Sequence, residues 1–355
     1  MRRPGVLAVA IALVAAAAPA TTPYPIVRPG LALRFPADHG AHPQFRTEWW
    51  YVTGWLKTAQ GEDLGFQVTF FRTRPRIDER NPSRFAASQV LFAHAALSDR
   101  ATGRLLHGER AARQGFGLAA ARTGDADIAV RDWHLRRAPT GQWQTRVTAD
   151  GFALMLDFQP VQPPLLQGQA GYSRKGPRPE QASYYYSIPH LRVDGEVQRG
   201  GRTVAARGEA WLDREWSSDY LAPDAQGWDW TGLNFDDGSA LMAFRIRRKD
   251  GGTLWAGGSL RGADGRTIVL GPSDVAFRPV ATWRSKATGA VYPVTQDVSV
   301  RSNGGIVTWR LTPMFAAQEL DARRSGLPVY WEGAVSTRGG RGYLELTGYD
   351  RPMAM

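Results

Sequence analysis

Two groups of acids, histidines and indoles have residue types that can do chemistry. In the first, Asp213-Arg214-Glu215-Trp216 is followed by Asp219, Tyr220, Trp228, Asp229, Trp230 and Asp236. A carboxyl held in an apolar pocket keeps its proton and can donate it, and aromatic faces steady the positive charge that results. Asp213 or Asp236 is the candidate acid, in a pocket lined by Arg214, Glu215, Trp216, Trp228 and Trp230. The plainer account of the same residues is a salt-bridged loop beside core tryptophans. In the second group His39, His42 and Glu48 precede Trp49 and Trp50. A His/His/carboxylate set can hold zinc or iron. Its spacing here is generic, and no other feature supports a metal. These five residues are read as a hydrogen-bonded motif that fixes the start of the first strand, and no cofactor is expected.

Two further positions are ligand-binding candidates. His94 sits in the apolar run Leu91-Phe92-Ala93-His94-Ala95-Ala96-Leu97, where alternation puts it on one face with Phe92 and Ala96, looking into a barrel. Tyr184, Tyr185 and Tyr186 place phenols on both faces of a strand, so that Tyr185 and its neighbours divide between core and pocket. Other chemistries lack their signatures. There is no Gly-x-Ser-x-Gly elbow, phosphate loop or dinucleotide fingerprint. With no cysteine in the chain, thiol nucleophiles and cysteine-based metal sites are excluded.

The elements that must position these groups are strands. Short alternating or aromatic-rich runs, such as residues 50–56, 66–72, 227–235, 240–247 and 343–349, are separated by turns such as Asp236-Asp237-Gly238 and Asp264-Gly265. Thirteen tryptophans suit wide barrel interiors better than helical bundles. One short helix is predicted, over residues 81–88. Residues 1–20 read as a signal peptide: Arg2-Arg3, an apolar run, then Ala18-Pro19-Ala20 as a cleavage site. That reading makes the protein periplasmic or secreted. The formal net charge of +11 is arginine spread through every segment, without a nucleic-acid module. Peripheral contact with an anionic membrane, or attraction of an acidic ligand, is the better use for it.

The sequence also repeats itself. Trp50-Tyr51-Val52-Thr53-Gly54 answers to Trp228-Asp229-Trp230-Thr231-Gly232, and Phe71-Arg72 to Phe244-Arg245. Ala96-Leu97-Ser98 answers to Ser259-Leu260-Arg261, Asp127-Ile128-Ala129-Val130 to Asp274-Val275-Ala276-Phe277, and the strand through Asp213 to that through Glu345. All fall in the same order. Two copies of one antiparallel unit predict an all-β protein of two tandem barrels, each able to hold a ligand inside. The expected domains are residues 30–216 and 217–355, with the boundary near residues 217–226.

Asp38-His39-Gly40-Ala41-His42-Pro43, Glu48-Trp49-Trp50-Tyr51-Val52-Thr53-Gly54, Ala210-Trp211-Leu212-Asp213-Arg214-Glu215-Trp216 and Tyr330-Trp331-Glu332-Gly333-Ala334-Val335 resemble the AttH-like branch of the hydroxyneurosporene synthase, or carotenoid hydratase, family. The resemblance covers nearly the whole chain after residue 20. It implies two lipocalin-like barrels of the calycin type. It also implies either carriage of an apolar, lipid-like or isoprenoid molecule, sometimes beside a membrane transporter system, or hydration, isomerisation or cyclisation of one. Carriage is the leading expectation. Relatives usually carry histidine after the motif aspartate, where this chain has Arg214. An arginine cannot shuttle protons near neutral pH. Arg214 is expected to pair with Asp213, Glu215 or Asp219 and hold that acid ionised, so hydration of lycopene-like substrates should be undetectable. Robust hydration by the native protein, lost on Asp213→Asn, would overturn that expectation.

Overall fold

The computed structural model describes residues 22–353 apart from Glu79 and Asn303, so the expected leader lies outside the described residues. The first sheet holds β1 (Thr47–Thr58), β2 (Asp63–Thr73), β3 (Val90–Asp99), β4 (Arg104–Arg113), β5 (Ala119–Ala121), β6 (Asp127–Val130), β7 (Trp133–Arg137), β8 (Trp143–Ala149), β9 (Phe152–Pro160), β10 (Leu165–Leu166), β11 (Tyr172–Arg174), β12 (Ala182–Arg199) and β13 (Arg202–Ser217). The second holds β14 (Ala225–Phe235), β15 (Ala240–Arg248), β16 (Thr253–Arg261), β17 (Thr267–Leu270), β18 (Val275–Arg284), β19 (Val291–Ser302), β20 (Gly305–Pro313), β21 (Glu319–Asp321), β22 (Val329–Thr337) and β23 (Gly340–Leu346). The only helical elements among the described residues are two 3-10 turns. Residues 81–88 form turns instead of the predicted helix. Asn81 Oδ1 accepts from the Ser83 amide and Ser83 Oγ from the Phe85 amide, which takes those donors from a helical ladder.

The sheets curl into two tandem lipocalin-like antiparallel barrels, the first nearly closed. The first runs β4-β3-β2-β1-β13-β12-β9-β8-β7-β6-β5 and the second β17-β16-β15-β14-β23-β22-β20-β19-β18. Read outward from the β1/β13 and β14/β23 pairs, the two orders match strand for strand as far as β7 and β18. The match between residues 127–130 and 274–277 is the exception, since β6 lies one strand beyond the equivalent of β18. Strand pairing also corrects the repeat's register. Phe71 faces Trp49 and Phe244 faces Trp230, so Trp49 answers to Trp230, and Glu48 to Asp229. The pairing of Trp50 with Trp228 was out by an odd number of residues, which turns side chains to opposite faces.

Alternation gives each strand near the junction two apolar faces with different destinations. On β1 and β13, Trp50, Val52, Leu212 and Trp216 point into the first barrel and join its core. Tyr51, Trp55 and Trp211 point out and pack against Trp230, Met242, Phe244 and Tyr343 of the second. On β12 the two-face pattern changes phase at a bulge between Ile188 and Leu191, where His190 sits at φ 54° with its Nδ1 2.6 Å from Glu209 and its Nε2 2.9 Å from the Ser239 carbonyl. The barrels approach closely at Gly65, where a Cβ would stand 2.6 Å from that of Ala334 and 2.8 Å from Tyr343 Oη. Trp55 donates across this seam to the Gly342 carbonyl at 3.0 Å, and Ser98 to Gln318 Oε1 at 2.7 Å.

A buried charge triad plugs one end of the first barrel. Glu48 pairs with both Arg72 and Arg214, and all three side chains are fully buried. The Arg214 guanidinium lies 3.9 Å above the Trp50 ring and donates to the Gly40 carbonyl at 2.7 Å. Burial alone would raise the Glu48 carboxyl, but Arg214, His42 and Arg72 outweigh it and hold the group well below its usual range. At the equivalent place in the second barrel, Asp229 pairs with Arg245 at 2.7 Å and Arg247 at 3.0 Å. Removing the carboxylate from such a cluster leaves uncompensated buried charge. Glu48→Gln should therefore cost about 3–5 kcal/mol of stability, read from the urea midpoint. A loss within about 0.5 kcal/mol, the ordinary range for surface substitutions, would show that the triad does not hold the barrel.

Candidate functional site

A cavity of about 370 Å³ lies between the barrels and not inside either one. The expectation of a ligand within a barrel is corrected: the first interior is occupied by Trp50, Trp133, Trp143 and Trp216, all essentially buried. The cavity walls are the outward faces of the two sheets, and they present equivalent rows. One runs Phe71–Trp49–Glu215–Tyr185 across β2, β1, β13 and β12. The other runs Phe244–Trp230–Glu345–Glu332 across β15, β14, β23 and β22. Beside the first row lies a third, His94–Thr69–Tyr51–Asp213–Ser187.

Asp213 is the best-defined group in the site. It is 3% exposed, and its carboxylate receives Tyr185 Oη at 2.6 Å on Oδ2, with Ser187 Oγ at 2.5 Å and Trp211 Nε1 at 2.7 Å on Oδ1. Trp230 of the second barrel donates to Tyr185 Oη at 3.0 Å, which ties both walls to the acid. Burial pushes the Asp213 carboxyl up to about 7 against the pull of its three donors, with a further push from Glu215. Glu215 accepts from Ser183 and faces Lys175 Nζ at 3.1 Å. That ammonium also lies 4.2 Å from the Phe244 ring centroid and 4.5 Å from that of Tyr185. Burial likewise raises Glu345 to about 7 and Glu332 well above its usual range. His94 Nδ1 meets Tyr330 Oη at 2.8 Å, and burial depresses its ring to about 3, so it is neutral near pH 7.

The residues predicted from sequence separate into three places. Asp213, Glu215, Tyr185, His94, Trp49, Trp228 and Trp230 meet at the cavity. His94 shares a face with Phe92 and Ala96 as expected, but that face looks out toward the second barrel. Arg214 and Trp216 stand on the opposite face of β13, inside the first barrel, with Trp50, Glu48 and His42. Arg214 thus pairs with Glu48 and not with Asp213, Glu215 or Asp219, because adjacent strand residues point to opposite sides. The electrostatic ground for expecting no hydration is removed with it. Asp236 is exposed in the turn after β14, away from the cavity. His39 turns its Nδ1 to Tyr186 Oη at 2.6 Å, while its carbonyl accepts from Trp50 Nε1 at 2.8 Å. His42 stacks on Trp216 with centroids 3.9 Å apart.

Sequence reasoning missed Tyr51, Lys175, Phe244, Glu332 and Glu345 as site residues. Glu332 and Glu345 did carry a signal, each being a lone acid within an apolar strand.

A cavity between the outward faces of two adjacent barrels defines a tandem lipocalin-like protein. The chain belongs to the AttH-like family, which it matches over residues 26–349. A crystal structure assigned as an AttH from Nitrosomonas europaea is 53% identical, with a TM-score of 0.85 over 92% of this chain and 99% of that one. Kievitone hydratase from Nectria haematococca shares the fold at 14% identity and a TM-score of 0.67, covering 94% of this chain and 98% of its own. CghA, solved with Sch210972, matches at 13% identity and a TM-score of 0.50 over 86% of this chain and 89% of that one. No protein of curated function matches.

The raised Asp213 carboxyl makes stability depend on pH with a definite sign. Unfolded, the group titrates near ~3.9, so between that pH and about 7 the native state binds the extra proton. Its contribution is fully present below ~4 and is lost as pH rises through 7. The melting temperature of Asp213→Asn relative to wild type should therefore rise from pH 5 to pH 8. A difference that stays constant across that window would show that Asp213 titrates normally.

Proposed function

We propose that this protein is a cofactor-independent enzyme that transfers a proton to an apolar, unsaturated small molecule by hydration, isomerisation or cyclisation. The observation that carries the reading is Asp213, an acid buried in an aromatic cavity and raised to about 7. A carrier needs apolar walls alone, and burying several carboxyls costs stability that carriage does not call for. The walls meet the other demand of alkene protonation, since Trp49, Tyr185 and Trp230 offer faces and edges around a developing cation. The volume lies near the lower end of the ~300–1,000 Å³ typical of small-molecule sites. That suits a compact molecule or the end group of a longer isoprenoid. A hydratase sharing the fold agrees with this chemistry without fixing the substrate.

Arg2-Arg3, the apolar run and Ala18-Pro19-Ala20 support work in the periplasm or outside the cell, where a transporter system would be a natural partner. Native mass spectrometry of protein from its own host, followed by turnover of any bound molecule, tests the reading. Asp213→Asn should lower turnover by about 10²–10⁴-fold, the usual weight of a general acid. Wild-type kcat/KM should fall as pH rises through about 7. Full activity in Asp213→Asn would return the protein to the carrier reading.

A further inference from the structure

Glu215 and Glu345 are equivalent by strand register, yet their surroundings have diverged. Glu215 has Lys175 and Ser183 for partners. Glu345 instead stands directly opposite Glu332 across the β22–β23 ladder, and among the described residues no lysine, arginine or histidine pairs with either. Two carboxylates side by side in an apolar wall repel each other, and the arrangement is relieved when one keeps a proton. A second observation points from this pair into the cavity. Tyr51 Oη and Glu332 Oε1 are buried at its wall and face each other as hydrogen-bonding neighbours, but their geometry falls short of a completed bond and neither has another partner. Buried polar atoms of a native fold are nearly always satisfied, so two unsatisfied ones at a cavity mark a place for a ligand's polar group or a reacting water.

We infer that Glu332 and Glu345 form a second proton-exchanging station in the cavity, holding one proton between them and, with Tyr51, taking the polar group or water that reacts with the substrate. The inference rests on the reading of the cavity as an enzyme site. It narrows the reaction to one in which a proton enters at the Asp213 wall and another leaves at the opposite wall. For addition of water, the alkene π electrons take the Asp213 proton to form a C–H bond. The water oxygen then forms a C–O bond to the resulting cation, and its spare proton passes to the free oxygen of the pair. Alkene and water become an alcohol, Asp213 is left ionised, and the pair is fully protonated until its extra proton returns through solvent. No electrons are exchanged with any other reagent. The other charged or titratable groups around the station include Asp213, Glu215, Lys175, His94, Tyr220, Tyr330 and Tyr343.

Carboxyl-carbon NMR of the full-length protein, labelled at glutamate and aspartate side chains, tests this without a substrate. At pH 7 the pair should hold one proton, and in Glu345→Gln the midpoint of Glu332 should move down because its charged neighbour is gone. Two independent glutamates ionised at pH 7, or a Glu332 midpoint indifferent to Glu345→Gln, would overturn the inference. The Asp213 signal in the same spectra reports separately on the acid of the proposed function. If Asp213 titrates near 7 and the pair behaves ordinarily, only the second station falls. Dicyclohexylcarbodiimide, which adds to protonated carboxyls in apolar surroundings, supplies the chemical check. Its adduct should map to Glu332 or Glu345 at pH 6 and diminish by pH 9. An adduct on Asp213 alone would count against the pair.

Discussion

Glu48, with two arginines locked against it where no water reaches, fixes what every neighbouring residue does. Arg214 cannot leave the first barrel without stranding Glu48 and Arg72, so β13 has one permitted register against β1. A slip by one residue would carry Arg214 outward and bring Asp213 into the core. The triad is thus a registration device, and its cost in desolvation is offset by paired charges, the Trp50 ring and backbone carbonyls. Because it fixes the inner face, it also fixes the outer one. Asp213, Glu215 and Trp211 face the second barrel for no reason local to themselves.

The second barrel repeats the device and varies it. Asp229 takes the place of Glu48, and both of its arginines come from β15 instead of from two different strands. With the first interior closed by packed tryptophans and buried ions, a ligand-sized space lies in the seam, where two outward faces meet imperfectly. A duplication of this kind makes a cavity whose opposite walls begin as near copies. The copies have since parted: Glu215 keeps a lysine, and Glu345 has an acid opposite it where the first wall has Tyr185.

Much of the architecture was legible in the sequence because strand alternation, turn residues and the order of repeated motifs are local properties. Asp213, Tyr185, Trp228 and Trp230 could be picked out for the same reason, as acids and aromatics crowded into strands. The destination of each face was not legible. On β1 and β13 both faces are apolar, so alternation separates Asp213 from Arg214 without saying which one lies inside. That ambiguity led to the expectation of a barrel-interior ligand and of a pair between Arg214 and its neighbours. Asp236 failed differently. It is close to the aromatic cluster in sequence, but the turn after β14 carries it into solvent. Lys175 was invisible because a loop residue's burial depends on contacts far away in the chain.

The bulge in β12 has a consequence for the site. Before it, even-numbered residues such as Tyr184, Tyr186 and Ile188 fill the first barrel, and after it the odd-numbered Leu191, Val193 and Val197 do. The partner strand keeps even-numbered residues inward throughout, with Ala206, Ala210, Leu212 and Trp216. One extra residue therefore works as a vernier between two rulers of the same pitch. It lets a single long strand be cut to two phases, one setting Tyr185 and Ser187 around the acid and the other closing the barrel floor. Shortening that strand by one residue at His190 would leave both halves perfectly strand-like. Whichever half kept its place, the other would present its greasy side to the wrong room.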